Sequence, residues 1–182
     1  MPNWCSVTMQ IEGPREEVER LVEAATQGVG EDHDGMPKGL LSVMAPIEGE
    51  KTVTSQRDEW GTKWDVTDAE VIEETELENG RVSVDICFDT AWSPPIEAVE
   101  TFLGENSGFD VRMQYFEPGI AYVGQFTPER GEETYQYEKA TAETVRNHIP
   151  EHLVEQFDLE GVLEEWSYVD TGQGRLYTIT NH

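Results

Sequence analysis

Lysine, cysteine and long apolar runs are all scarce in this chain of 182 residues. The lysines are Lys38, Lys51, Lys63 and Lys139, and arginine supplies the other eight of the 12 basic residues. Against them stand 38 acidic residues, giving a net charge of −26. A field of that sign repels phosphates and argues against nucleic acid as a direct ligand. No apolar run approaches the roughly 20 residues that cross a bilayer, so no membrane association is expected. The opening Met1-Pro2-Asn3-Trp4-Cys5 has neither a basic cluster nor an apolar stretch. No secretory signal is read there, and the chain is expected in the cytoplasm.

The two cysteines are placed by strand alternation. Cys5 shares a face with Val7, Met9 and Ile11, whereas Cys87 lies opposite the face of Val84, Ile86 and Phe88. Opposite faces exclude a disulfide. We also expect Cys5, at the start of its strand, to lie far from Cys87, near the end of a parallel neighbour. Two free thiols suit a reducing compartment.

What is present is organised around Phe88-Asp89-Thr90-Ala91-Trp92-Ser93-Pro94-Pro95 and its partner stretch Trp60-Gly61-Thr62-Lys63-Trp64-Asp65. Residues 82–89 alternate with period two, which marks a half-buried strand. The two prolines end it, and Pro95 is placed as the first residue of a helix bearing Ile96, Val99, Phe102 and Leu103. Trp92 therefore stands at a strand end beside a helix start. It and Trp64 have two readings, a plug over one end of the core or part of a ligand or partner site, and packing is the commoner fate of an aromatic. Lys63 has two readings as well: an ion pair with Asp65 or Asp89, or a cation lying on an indole face. Trp60, Lys63, Trp64, Asp65, Asp89 and Trp92 form the candidate binding corner.

The remaining elements follow from periodicity. Trp4–Ile11 reads as a strand, ended by Gly13-Pro14. A helix with an apolar stripe of Val18, Leu21, Val22 and Ala25 comes next, closed by Gly28 and Gly30. Leu40–Pro46 is a short apolar patch, and an acidic connector leads from it to Trp60. Residues 66–79 carry both helix and strand signals. The Asn79-Gly80 turn decides for a strand paired to the next, its glutamates guarding an exposed edge. Strands are expected at 109–115 and 121–127, a loop at 131–141, helical pieces near 141–148 and 150–166, and a closing hairpin from Tyr168 to Thr180. The order strand, helix, strand, strand, helix, strand is ferredoxin-like. The expected fold is an α+β antiparallel sheet (βαββαβ) with one extra strand and a C-terminal helical and hairpin appendage. The ferredoxin-like domain is expected over residues 1–130, with the appendage of residues 131–182 packed on it.

Met1–Cys5, Met44-Ala45-Pro46-Ile47-Glu48, Trp60–Asp65, Phe88–Pro95 and Tyr115-Phe116-Glu117-Pro118-Gly119, in this order, resemble the YubB-type ferredoxin-like family of phage and plasmid proteins. The resemblance spans residues 1–127. It implies a ferredoxin-like fold without an iron–sulfur cluster and an origin in a mobile element, and it brings no activity, cofactor or catalytic residue.

Other motifs carry little chemistry. Asp170-Thr171-Gly172 matches an aspartic-protease tripeptide, but it occurs once and in turn-like sequence. His148 and His152 are separated by Pro150, which breaks the helix that would align them as metal ligands. Glu31-Asp32-His33-Asp34 lacks the spacing of a calcium loop. No metal and no cofactor is expected, and no catalytic residue is assigned. The sequence is read as a non-enzymatic accessory factor that binds a protein partner. Two alternatives stay open: an acidic mimic of nucleic acid that inhibits a host DNA- or RNA-binding or defence protein, and a small enzyme using the Lys63/Asp65/Asp89/Trp92 corner. The acidity itself suits a salt-adapted surface, a mimic or a merely soluble protein.

Self-repulsion of −26 charges should relax as salt screens them beyond a Debye length of about 10 Å at 0.1 M. The melting temperature should therefore rise from dilute buffer to molar potassium chloride. A flat profile would mean that bound cations already neutralise the carboxylates.

Overall fold

The computed structural model describes residues 3–32 and 35–169. In chain order the elements are β1 (Trp4–Pro14), α1 (Arg15–Gln27), a small ladder of β2 (Val29–Glu31) and β3 (Pro37–Lys38), α2 (Leu40–Met44) and α3 (Val53–Trp60). Then come β4 (Glu70–Glu76), β5 (Arg81–Ala91), α4 (Ile96–Glu105), β6 (Asp110–Glu117), β7 (Tyr122–Thr127), β8 (Gly131–Gln136), α5 (Glu151–Gln156) and α6 (Leu159–Val169).

Alternation builds the central strands. Cys5, Val7, Met9 and Ile11 of β1 are buried, as are Val82, Val84, Ile86 and Phe88 of β5, while the residues between them face the other way. The six strands run in the order β4-β5-β1-β6-β7-β8, and every pairing is antiparallel. β4, β5, β1 and β6 are the four strands of the ferredoxin-like unit. β7 is the further strand expected after it. β8 arises from residues read as loop, because its side chains are polar on both faces and leave no apolar period. It hairpins back onto β7, so the sheet continues across residue 130.

One sheet face carries the main core. Val18, Leu21 and Ala25 of α1, Leu40, Leu41 and Met44 of α2, Trp60 of α3, and Val99 and Phe102 of α4 pack there against the inward strand residues. Among the described residues the opposite face is covered at one side only. Phe116 of β6 stacks on Tyr137 and Phe157, with ring centroids 6.0 and 5.5 Å apart. Val123, Val145, Ile149, Leu153, Leu159 and Leu163 close a second core around them. The segment after β8 thus packs on the reverse of the sheet, over β6 and β7.

Several sequence expectations need correction. The acidic connector before Trp60 contains α3, which a capping box starts: Thr52 Oγ1 accepts from Ser55 N, and Ser55 Oγ accepts from Thr52 N. That signal is Thr–Ser rather than the usual Thr–Glu, which hid it. Residues 141–148 form turns with one 3-10 turn at Val145–Asn147. Pro95 is the cap of α4, and Ile96 is its first residue. The two cysteine-bearing strands are antiparallel, so the start of β1 lies beside the end of β5: Thr8, not Cys5, is opposite Cys87. Cys5, opposite Thr90, is still three residues along the ladder from Cys87, so separation as well as the opposed faces keeps the thiols apart. The expected hairpin after Tyr168 and the Asp170 tripeptide lie outside the described residues.

The Asn79-Gly80 turn joins β4 to β5 with both residues at positive φ, 60° and 70°, the turn whose twist matches a hairpin. β4 is the sheet edge. All seven of its residues are exposed, and its glutamates place charge along the open backbone.

Both cysteines are free. Burial pushes the Cys5 thiol up to about 12, while burial together with the nearby Glu70 and Asp89 carboxylates raises that of Cys87. Thiol titration at pH 8 should find one slowly reacting group, Cys87, in the native protein and two after denaturation without reductant. Two equally fast native thiols would overturn the burial of Cys5.

Candidate functional site

Among the described residues, the five motifs singled out in the sequence meet at one end of the sheet. Antiparallel register brings Trp4, at the start of β1, opposite Ala91, at the end of β5. The chain then turns at Trp92, whose backbone N–H donates to Asn3 O at 2.9 Å and whose carbonyl accepts from Tyr122 Oη at 2.6 Å. Thr62, fully buried, donates through Oγ1 to Ala91 O at 3.0 Å, and Ser93 Oγ donates to Gly61 O. Glu117, also fully buried, accepts from the amides of Gly119 and Ile120 at 3.0 and 2.7 Å and so fixes the turn after β6.

Trp60 is the plug. It is fully buried at the end of α3, and its Nε1–H donates to Ala45 O at 2.7 Å, tying α3 to the end of α2. Gly61 ends that helix at φ 79°, a left-handed conformation natural to glycine. A Cβ there would also strike the Glu97 carboxylate and Pro94 O. The helix thus stops sharply and turns Lys63 and Trp64 outward.

Trp64 and Trp92 are not plugs. Each is 40% exposed, and Trp4, 44% exposed, lies beside Trp64 with ring centroids 5.8 Å apart. Lys63 joins the group, with its ammonium 4.5 Å from the Trp64 ring centre and 5.6 Å from that of Trp92. Among the described residues Lys63 pairs with no carboxylate, so the ion pair expected with Asp65 or Asp89 is absent. The indole-face reading holds instead.

Asp65 and Asp89 do other work. The Asp65 carboxylate accepts from the amides of Gly39 and Leu41 at 2.9 and 2.8 Å, at the start of α2. It is a structural cap on the preceding segment. Asp89 lies on the outer sheet face and accepts from Ser6 Oγ at 2.8 Å. The site is therefore Trp4, Lys63, Trp64 and Trp92, with Trp60 behind it. Trp4 was missed. Its signal was a tryptophan on the polar face of its strand, in step with Ser6 and Thr8.

Trp92 has φ 70°. A bulky residue in the left-handed region is an outlier whose conformation costs about 1–2 kcal/mol. Its ring is too exposed for burial to be the evident compensation.

Residues 59–159, more than half of the chain, match the family described as the ferredoxin-like domain in Api92-like protein. The chain belongs to that family. No curated protein and no solved structure matches it. The match to the Api92-like domain takes in Trp60–Asp65, Phe88–Pro95 and Tyr115–Gly119, the stretches that carry Lys63, Trp64 and Trp92. It runs past β8 into the second core. Among the described residues no group of three or more His, Cys, Asp or Glu side chains is placed to hold a metal ion. His152 Nε2 instead makes a 2.7 Å hydrogen bond with Gln125 Oε1.

The tryptophans should separate on substitution. Trp60→Ala should cost about 3–5 kcal/mol in urea unfolding, as a large buried aromatic does. Trp64→Ala should cost about 1 kcal/mol or less. Trp92→Gly should leave stability nearly unchanged, because relief of the left-handed strain offsets the lost packing.

Proposed function

We propose that this protein is a non-enzymatic accessory factor that binds a protein partner through the Trp4/Lys63/Trp64/Trp92 corner. The observation that carries this reading is Trp92: a strained backbone holds a large indole with 40% of the residue's surface in solvent. Backbone strain of this kind concentrates at functional sites. An ammonium against two exposed indoles, with a third packed on one of them, has the composition of an interface centre, where tryptophan dominates binding energy and a flanking cation sets orientation. Thr62, Tyr122 and Asn3 hold the corner rigid, so little ordering is needed on binding.

The YubB-type resemblance supports a phage or plasmid origin, and two free thiols suit a cytoplasmic setting. The two alternatives draw less support. A mimic of nucleic acid needs carboxylates in one stripe. Several of them gather instead around separate arginines: Arg15 with Glu19, Glu74 and Glu76; Arg112 with Asp110 and Glu129; Arg146 with Glu151, Glu155 and Glu160. That scatter suits a salt-adapted surface. An enzyme needs a concave pocket at the corner, whereas clefts of about 470 and 230 Å³ lie elsewhere, beside α4 and beside α1.

Wild type and the variants Trp64→Ala, Lys63→Ala and Trp92→Gly, each checked by thermal melt, should be used to capture partners from host lysate for identification by mass spectrometry. The expected result is one partner retained by wild type and lost, at least tenfold, by folded Trp64→Ala and Trp92→Gly. Equal retention of every wild-type partner by all three variants would remove the corner as the binding site.

A further inference from the structure

On the main-core side of the sheet, α1 packs on β1, β4 and β5, and α4 packs on β6. Beyond α4 the sheet continues as β7 and β8. The step between helix and hairpin leaves a groove of about 470 Å³. Its apolar wall and floor are Leu103 and Gly104 of α4, Phe109 ahead of β6, and Phe126 and Pro128 at the end of β7, with Glu100 on the rim.

The charge lining this groove is acidic, and the nearest cations have other partners: Arg130, in the turn between Pro128 and Gly131, lies 3.7 Å from Glu133, and Arg81, which donates to Gly108 O beside Phe109, pairs with Glu12. The helix positions 97, 100 and 104 follow one another on one side of α4, and Glu97 and Glu100 are two of them. Glu132 projects from β8 on the same sheet face as Phe126, its register partner, and accepts from Tyr115 Oη at 2.7 Å. Burial raises the Glu97 carboxyl above its ordinary range, and Glu132 and Glu100 push it further. No cationic side chain lines the groove among the described residues. The scarce arginines are engaged elsewhere: Arg15 at the β4 edge, Arg112 on the outer face, Arg146 in the second core's rim.

We propose that this groove, a surface separate from the tryptophan corner, docks a short basic amphipathic segment of a partner protein. The apolar floor takes the segment's aliphatic face, and Glu100 and Glu132 take its lysine or arginine heads. α4, of ten residues, is about 15 Å long, so about ten residues of a bound helix lie along it. Charge complementarity fixes the class of occupant, because a second copy of this chain brings another −26 charges and is repelled.

Gly104 offers a clean probe, since a Cβ added there meets nothing within 4 Å. The ligand probe is a fluorescein-labelled amphipathic peptide of about 12 residues with leucine on one face and arginine on the other. It is titrated by anisotropy at 0.15 M salt into wild type, Gly104→Trp, Glu100→Gln/Glu132→Gln, and the charge-matched control Glu16→Gln/Glu17→Gln on α1. Melts confirm folding of each. The expected result is saturable one-to-one binding, weakened at least fivefold by Gly104→Trp and by the groove pair, and less than twofold by the control. Equal weakening by both glutamate pairs would assign binding to the general field of the protein and overturn the proposal. So would the absence of saturable binding, an unaffected Gly104→Trp, or self-association of wild type that Gly104→Trp abolishes.

Discussion

The antiparallel pairing of β1 with β5, eleven residues long and without a bulge, is the constraint on which the molecule rests. It sets the inward face of both strands, and so the main core. It also decides what meets at each end. Because the strands oppose one another, the beginning of the chain and the end of β5 finish at one place, and Trp92 can hang its amide on Asn3. A one-residue slip would turn Cys5, Val7, Met9 and Ile11 to the outside and carry Trp4 inside.

From that register the corner follows through short steps. Trp60 fills the end of the core and is tied to α2. Gly61 ends the helix at once, and the next residues are thrown outward. Thr62 turns inward to hold the strand end, while Lys63 and Trp64 remain beside Trp92. Two aspartates that look like part of the corner in sequence are drawn off to neighbouring structure, one to cap α2 and one to a strand serine. What remains is apolar and cationic on a chain that is otherwise acidic.

Much of this was legible beforehand. The period-two strands, the Asn79-Gly80 turn and the helix opened by Pro95 give the ferredoxin-like order, because each is a local signal in agreement with the global fold. α3 and β8 were not legible: one begins with an unusual cap inside acidic sequence, the other is an edge strand with polar residues on both faces. The site was half legible. Lys63, Trp64 and Trp92 stood out by residue type, but burial could not be assigned among three neighbouring tryptophans, since which one faces inward depends on where α3 stops. Asp65 was misplaced for a related reason. Its partner amides lie 24 and 26 residues earlier in the chain, a distance over which no periodicity speaks.

The distribution of tryptophan has an optical consequence. Trp4, Trp64 and Trp92 share one patch of solvent-facing surface, whereas Trp60 is sealed in the core and Trp166 is partly buried in the second core, stacked on Tyr137. The protein's own ultraviolet emission is thus divided into a red-shifted part that belongs to the corner and a blue-shifted part that belongs to the fold. The Lys63 ammonium against two of the exposed rings makes the red part sensitive to any charge brought near it. Occupancy of the corner and integrity of the core can be followed separately, in the same cuvette, without a label.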